Sequence, residues 1–147
     1  MKLLIVNGPN LNLLHKRDRK LYGELDLNSI RILIEKEFPQ ITFDFFQSND
    51  EKEIIERIQD APDKFNGIII NPGGLSHSSV SLRDALEICS IPKVEVHLSN
   101  ISSREKFRNL SITSSVCDGY IAGLKQFSYI VAIYAIQKII FEKNYSR

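Results

Sequence analysis

The residues best equipped for chemistry stand at the ends of short apolar runs. Asn7-Gly8-Pro9-Asn10 follows the run Leu3 to Val6, and beyond it come Lys16, Arg17, Arg19, Tyr22 and Gly23. A tyrosine serves as a base only when its phenolate is stabilised. A free phenol titrates near pH 10, so ionising it near neutrality needs about 4 kcal/mol. One desolvated cation at a few Å, with or without a second, supplies energy of that order. Arg17 lies five residues before Tyr22 and reaches it if the loop folds back, with Arg19 and Lys16 as competitors. The alternative is a tyrosine that packs the loop while the cations stay solvated.

His97 ends another run, Lys93 to Leu98, and can donate a proton near neutrality. Glu95, on the same strand face, is placed to fix its tautomer; the alternative is a core histidine satisfied by backbone. Asn71-Pro72-Gly73-Gly74 makes a tight turn whose amides can approach a ligand closely. His77 follows it, and Asp84 lies two helical turns further on. As a nucleophile set, Ser76 with His77 is weak, because adjacent residues rarely face one another. Ser99-Asn100-Ile101 leads toward an expected helix start, a seat for a carboxylate or phosphate. Arg104 and Arg108 share a helical face, as either an anion site or a solvated basic surface. Gln47 and Asn49 complete the set. Three histidines without suitable acidic neighbours give no expectation of a metal.

These residues need a scaffold that gathers strand ends. Apolar runs recur at Leu3–Val6, Ile41–Phe46, Gly67–Asn71, Lys93–Leu98 and Gly119–Leu124. Helical patterns separate them: Leu27, Ile30, Ile34 and Phe38 on one stripe, then Ile54, Ile55 and Ile58, then Leu82, Ala85, Leu86 and Cys89. Asp26 or Asn28 is the expected cap of the first. Ser48 to Glu51 and Ser102 to Glu105 have capping-box spacing, the latter opening a short basic helix through Arg108. A final helix, about Gln126 to Lys143, is apolar almost all round, which implies burial, including against another subunit; Asn144 to Arg147 is expected to fray. Five strands alternating with five helices predict an α/β fold, a three-layer sandwich about a five-stranded parallel sheet. Ligands of such folds bind beyond the carboxyl ends of the strands. The long polar stretch after the first strand reads as a binding turn followed by a mobile lid, about residues 15–23.

The chain has 147 residues, 43% hydrophobic and 25% charged, with a net charge of +1. That fits one domain over 1–147 and gives no sign of a nucleic-acid or membrane partner. No apolar run approaches a membrane span, and the N-terminus lacks a signal-peptide pattern. Cys89 and Cys117 are in no metal or redox spacing and are expected as free thiols in a reducing cytoplasm.

Several motifs together resemble the type II 3-dehydroquinate dehydratases of the shikimate pathway. They are Asn7 to Leu14, Arg17 with Tyr22-Gly23, Gln47-Ser48-Asn49, Ile70 to Gly74, His77 through Ala85, Glu95 to Ile101, and Arg104 to Arg108, in family order over nearly the whole chain. The resemblance implies a flavodoxin-like sheet, a dodecamer built as a tetramer of trimers, and anti elimination of water from 3-dehydroquinate without any cofactor or metal. By the same resemblance Tyr22 removes the C2 proton with Arg17 beside it, and Asn10 with a water stabilises the enolate. His97, supported by Glu95, protonates the departing hydroxyl. Asn71, Leu98 and Ser99 hold the substrate carboxylate, His77 and Arg108 bind ring hydroxyls, and Asp84 reaches a neighbouring subunit's site. Gly73 and Gly74 line the same turn. The sequence departs from the family at His15, Asp18-Arg19, Asp50-Glu51-Lys52, Ser102 and Asn109 to Ile112. The loss of a lid proline predicts a looser lid. The rival readings are a non-catalytic flavodoxin-like module and a degenerate homologue that binds a cyclic carboxylate without turning it over.

Overall fold

A computed structural model describes residues 1–146. Five strands, β1 (Lys2–Asn7), β2 (Thr42–Gln47), β3 (Gly67–Asn71), β4 (Lys93–His97) and β5 (Gly119–Ala122), form one parallel sheet in the order β2-β1-β3-β4-β5. That is a flavodoxin-like order, whose direction reverses between β1 and β3. The helices are α1 (Arg19–Tyr22), α2 (Leu27–Glu37), α3 (Glu51–Asp60), α4 (Val80–Ile88) and α5 (Phe127–Tyr145).

Period-two alternation divides the core. Leu3, Ile5, Ile69, Val94 and Val96 pack with Ile30 and Ile34 of α2 and with Tyr129, Ile133 and Ile136 of α5. Leu4, Val6, Ile68 and Ile70 face the other way, onto Ile54 and Ile58 of α3 and Leu82 and Leu86 of α4. β3 and β4 are buried along their whole length, whereas the edge strands β2 and β5 are partly exposed. The apolar run of β3 up to Ile70 is what coverage on both faces requires.

Asp26 caps α2 by accepting from the Ser29 amide, which settles the choice left by the sequence. The capping-box expectations fare differently. Asp50, not Ser48, caps α3 through the Lys52 amide, and the Ser48 hydroxyl donates to Glu53 instead. No helix forms over Ser102–Arg108. Two short 3-10 turns, Ile101–Ser103 and Lys106–Asn109, stand there, neither with a side-chain cap. The sequence offers capping-box spacing there but no apolar stripe long enough to bury. The helix that carries the Leu82–Cys89 stripe starts at Val80 with Ser79 as its cap. The tail expected to fray stays helical through Tyr145, and Arg147 lies outside the described residues. α5 buries one stripe but exposes Phe127, Tyr134, Phe141 and Tyr145.

One buried polar knot ties this scaffold to the strand ends. The Tyr129 hydroxyl donates to Asn7 Oδ1 and accepts from Asn71 Nδ2 at 3.2 Å. Burial pushes this phenol well above its ordinary titration range, so it remains a neutral donor. Tyr129→Phe leaves both asparagines short of a partner in a dry site. The expected loss is about 1–3 kcal/mol of unfolding free energy in urea titration, and an unchanged midpoint would mean that the knot contributes nothing.

Candidate active site

The reversal between β1 and β3 opens the sheet where the candidate residues emerge. The Gly8 amide donates to the Asn71 carbonyl at 2.8 Å. A Cβ on Gly8 would stand 2.5 Å from the Pro72 carbonyl oxygen, so only glycine permits the two loops to cross this closely. Gly73 has φ +61°, in the left-handed region, and a Cβ there would press on the Pro9 carbonyl at 3.0 Å. The Asn71 side chain completes the turn by accepting from the Gly73 amide at 3.2 Å.

Beyond these strand ends lies a hollow of about 330 Å³, part of it open to solvent. It is lined by Arg17 and Tyr22 of the lid segment, by Asn71, Gly73, Gly74 and His77 after β3, and by His97, Leu98, Ser99 and Arg108 at and beyond β4. Leu11, Ile101 and Arg104 also line it. A larger hollow of about 850 Å³ runs along α5 beside Met1, but it holds no histidine and no carboxylate. The smaller hollow is therefore the better site, because its polar groups converge.

The lid segment folds back as a 3-10 stretch, Leu11–Lys16, followed by the single turn α1. Asp18 caps α1 through the Lys20 amide, and Gly23, at φ +88°, ends it. Leu11, Leu14 and Tyr22 are buried, so the segment is anchored by apolar contact as well. The Arg17 guanidinium donates to the Tyr22 hydroxyl and also lies over the ring, 4.0 Å from its centroid. Arg104 approaches the same ring at 5.2 Å. Arg19 and Lys16 are exposed and make no such contact. Of the competing lid cations, Arg17 is the one at the phenol.

Opposite, His97 Nε2 lies 2.7 Å from Glu95 Oε1, and Glu95 is fully buried. An ionised carboxylate only accepts, so Nε2 carries the hydrogen of this bond. The other oxygen of Glu95 accepts from the Thr113 hydroxyl at 2.6 Å. His77 Nδ1 is 2.9 Å from the Leu110 carbonyl, which makes that nitrogen the donor and leaves Nε2 as an acceptor. The two imidazoles lie nearly parallel, 6.3 Å between centroids.

Ser99 is buried and receives a bond from Arg104 at 3.3 Å. The expected helix start after it is a three-residue 3-10 turn, so any anion bound there would meet separate amides and the Ser99 hydroxyl rather than a helix terminus. Arg108 points its Nε at Glu105. Asn10 is exposed, has φ +70°, and is not among the residues lining the hollow; its amide donates to Asn49 Oδ1 at 2.9 Å. Asp84 is exposed on α4, paired with Arg83 at 3.0 Å and away from the hollow. Ser76 is buried and bonds the Gly73 carbonyl, so no Ser76–His77–Asp84 set assembles. Gln47 donates to the Gly8 carbonyl at 3.3 Å and acts on the β1 loop. Leu11 and Ile101 carried no chemical signal in the sequence; their hydrophobic character beside polar motifs was the only available cue. Among the described residues no group of three or more histidines, cysteines, aspartates or glutamates is placed to hold a metal ion. Both cysteines are free, and burial, with Glu95's charge adding, pushes the Cys117 thiol up to about 12.

An acid–base pocket at the switch point of a flavodoxin-like sheet defines an α/β enzyme. The family model described as dehydroquinase class II matches residues 1–137. The 3-dehydroquinate dehydratase of Thermotoga neapolitana is 48% identical over 146 residues, covering 98% of this chain and 99% of its own. That of Clostridium perfringens strain SM101 is 46% identical, covering 97% and 100%. The crystal structure of type II dehydroquinase from Butyrivibrio crossotus has a TM-score of 0.90 at 42% identity, covering 93% of this chain and 97% of that one. The chain belongs to the class II dehydroquinase family.

Proposed function

We propose that this chain is a 3-dehydroquinate dehydratase that converts 3-dehydroquinate to 3-dehydroshikimate and water by anti elimination through an enolate. The Arg17–Tyr22 and Glu95–His97 pairs facing one small hollow carry this assignment. The Arg17 guanidinium donates to the phenol oxygen, and that oxygen, as phenolate, takes the proton at C2 beside the ketone. The electron pair passes into an enolate that preorganised donors must hold. Collapse of the enolate expels the C1 hydroxyl, and His97, entering the step as the imidazolium, gives it the Nδ1 proton so that it leaves as water while the Nε2–H stays bonded to Glu95. Asn71, the Leu98 and Ser99 amides and the Ser99 hydroxyl are suited to the carboxylate. His77 Nε2 and Arg108 are suited to ring hydroxyls, with Gly73 and Gly74 leaving room for the ring.

Asn10 and a water are assigned to the enolate by family resemblance, Asn10 standing next to the lining residue Leu11. An exposed Asp84, outside its own chain's hollow, suits a role in a neighbouring subunit's site. We extend the same reading to a homododecamer, a tetramer of trimers, in the cytoplasm, serving the shikimate pathway toward chorismate and the aromatic amino acids as one catalytic domain. Among the described residues no helix is long and apolar enough to cross a membrane. Light scattering should give a mass near twelve chains; a fully active monomer would remove the need for Asp84 in trans.

The decisive assay follows the absorbance of the conjugated enone formed from 3-dehydroquinate by the purified protein. No product from a folded, assembled sample would favour the degenerate binding homologue instead. Arg17→Ala and Arg19→Ala then separate the lid cations. Removing the cation at the phenol makes the phenolate harder to form, so the acidic limb of the rate profile should move to higher pH in Arg17→Ala. Arg19→Ala should leave it in place. An unmoved limb in Arg17→Ala would count against its role.

A further inference from the structure

Glu95 is held from a direction that the reaction does not use. Its Oε1 accepts from His97 Nε2 at 2.7 Å and from the Ser111 hydroxyl at 2.9 Å, while Oε2 accepts from the Thr113 hydroxyl at 2.6 Å. Thr113 is fully buried. Fixing Oε2 stops the carboxylate from rotating about its last bond and so presents Oε1 to the histidine. The segment that carries both hydroxyls is tied to the other half of the hollow. The Ile112 amide donates to the Ser76 carbonyl at 2.8 Å, and the Leu110 carbonyl accepts from His77. One stretch, Leu110 to Thr113, thus orients both histidines without lining the hollow.

We propose that Thr113, with Ser111 assisting, is a positioning residue that sets how strongly His97 holds its proton, through the carboxylate of Glu95. The proposal rests on the dehydratase reading above. A carboxylate that accepts two hydroxyl bonds has part of its charge spent on them and is a weaker base toward His97. With one donor lost, its charge falls more fully on the imidazole. His97 then binds its proton more tightly and becomes a poorer acid toward a leaving hydroxyl. The other groups facing this pair are Tyr120 of β5, whose ring is 5.7 Å from that of His97, His77 at 6.3 Å, and Cys117. Burial raises both the Tyr120 phenol and the Cys117 thiol, with Glu95's charge adding, so both stay neutral near pH 7 and add no charge to the pair. Lys93, on the same strand, spends its ammonium on the Cys89 and Ile91 carbonyls.

The test compares Thr113→Val, which keeps the shape and removes the donor, with Thr113→Ser, which keeps the donor. Histidine ¹⁵N resonances are followed against pH in the ligand-free protein, and kcat and KM are measured in parallel. Thr113→Val should move the coupled His97–Glu95 titration upward by about one pH unit. It should lower kcat on the order of tenfold with KM little changed. Thr113→Ser should restore both. Ser111→Ala should move the titration the same way by less, and it carries the test if Thr113→Val does not fold. A loss of kcat with an unmoved His97 titration, or failure of Thr113→Ser to restore it, overturns the proposal. The NMR titration does not require turnover. An inactive wild-type protein would therefore refute the dehydratase reading, while the His97 shift in Thr113→Val would still decide whether Thr113 acts through Glu95.

Discussion

Tyr22→Phe should lower kcat by roughly 10²–10⁴-fold, the span expected when a positioned base is removed. The substitution deletes one oxygen from a ring that is 7% exposed and leaves its packing against Arg17 and Arg104 in place. Binding should therefore survive. A planar mimic of the enolate should still bind the variant with an affinity within a few-fold of wild type by calorimetry. The phenylalanine protein should also fail to exchange the C2 hydrogen of 3-dehydroquinate in deuterated water, because no enolate forms. Retention of most activity would move the base elsewhere, and a parallel loss of mimic binding would make Tyr22 a binding group instead.

The second large effect is expected for His97→Ala, again roughly 10²–10⁴-fold in kcat, but with a different signature. The alanine variant lacks the acid, not the base. Its Tyr22–Arg17 pair is intact, so C2 exchange with solvent should continue while elimination stops. The enolate forms, finds no proton donor for the leaving hydroxyl, and returns to ketone. Exchange measured by NMR against product measured by absorbance separates the two halves of the reaction. If both cease together, His97 does more than protonate the leaving group. The variant also strips one of three donors from buried Glu95, so its folding should be checked by thermal denaturation.

Strand ends were legible in the sequence because a continuous apolar run stopped by Gly, Pro or Asn admits few other readings. β1, β3 and β4 were all found within a residue or so of their limits. The convergence of Asn71, His77 and His97 followed from placing those ends on one edge of a parallel sheet. Capping residues were less legible. Ser48 and Ser102 had the right partner at the right spacing; a buried helix does follow Ser48, but Asp50 caps it, and after Ser102 no apolar stripe worth burying follows. The helix expected over Ser102–Arg108 fails for that reason. Which cation meets Tyr22 was open in one dimension, since a short loop can bring Lys16, Arg17 or Arg19 inward; the backbone path through Asp18 and α1 decides for Arg17. Thr113 gave no signal at all. A lone hydroxyl matters only once the fold sets it against a buried carboxylate eighteen residues earlier in the chain.

The reactive groups on the two sides of the hollow answer to different parts of the chain. The phenol rides on a four-residue turn whose backbone bonds are all local, whereas the imidazole grows from a strand bonded to neighbours on both sides. On the proposed mechanism, changes of length or composition between residues 15 and 21 should retune proton abstraction and leave the imidazole's strand untouched. This chain's own His15 and Asp18-Arg19 are variation of that kind. Within residues 93–97, a comparable change would reach the sheet before it reached the chemistry. Drift among related chains should therefore accumulate on the proton-accepting side, and a swapped lid should transplant its kinetic character without disturbing the rest.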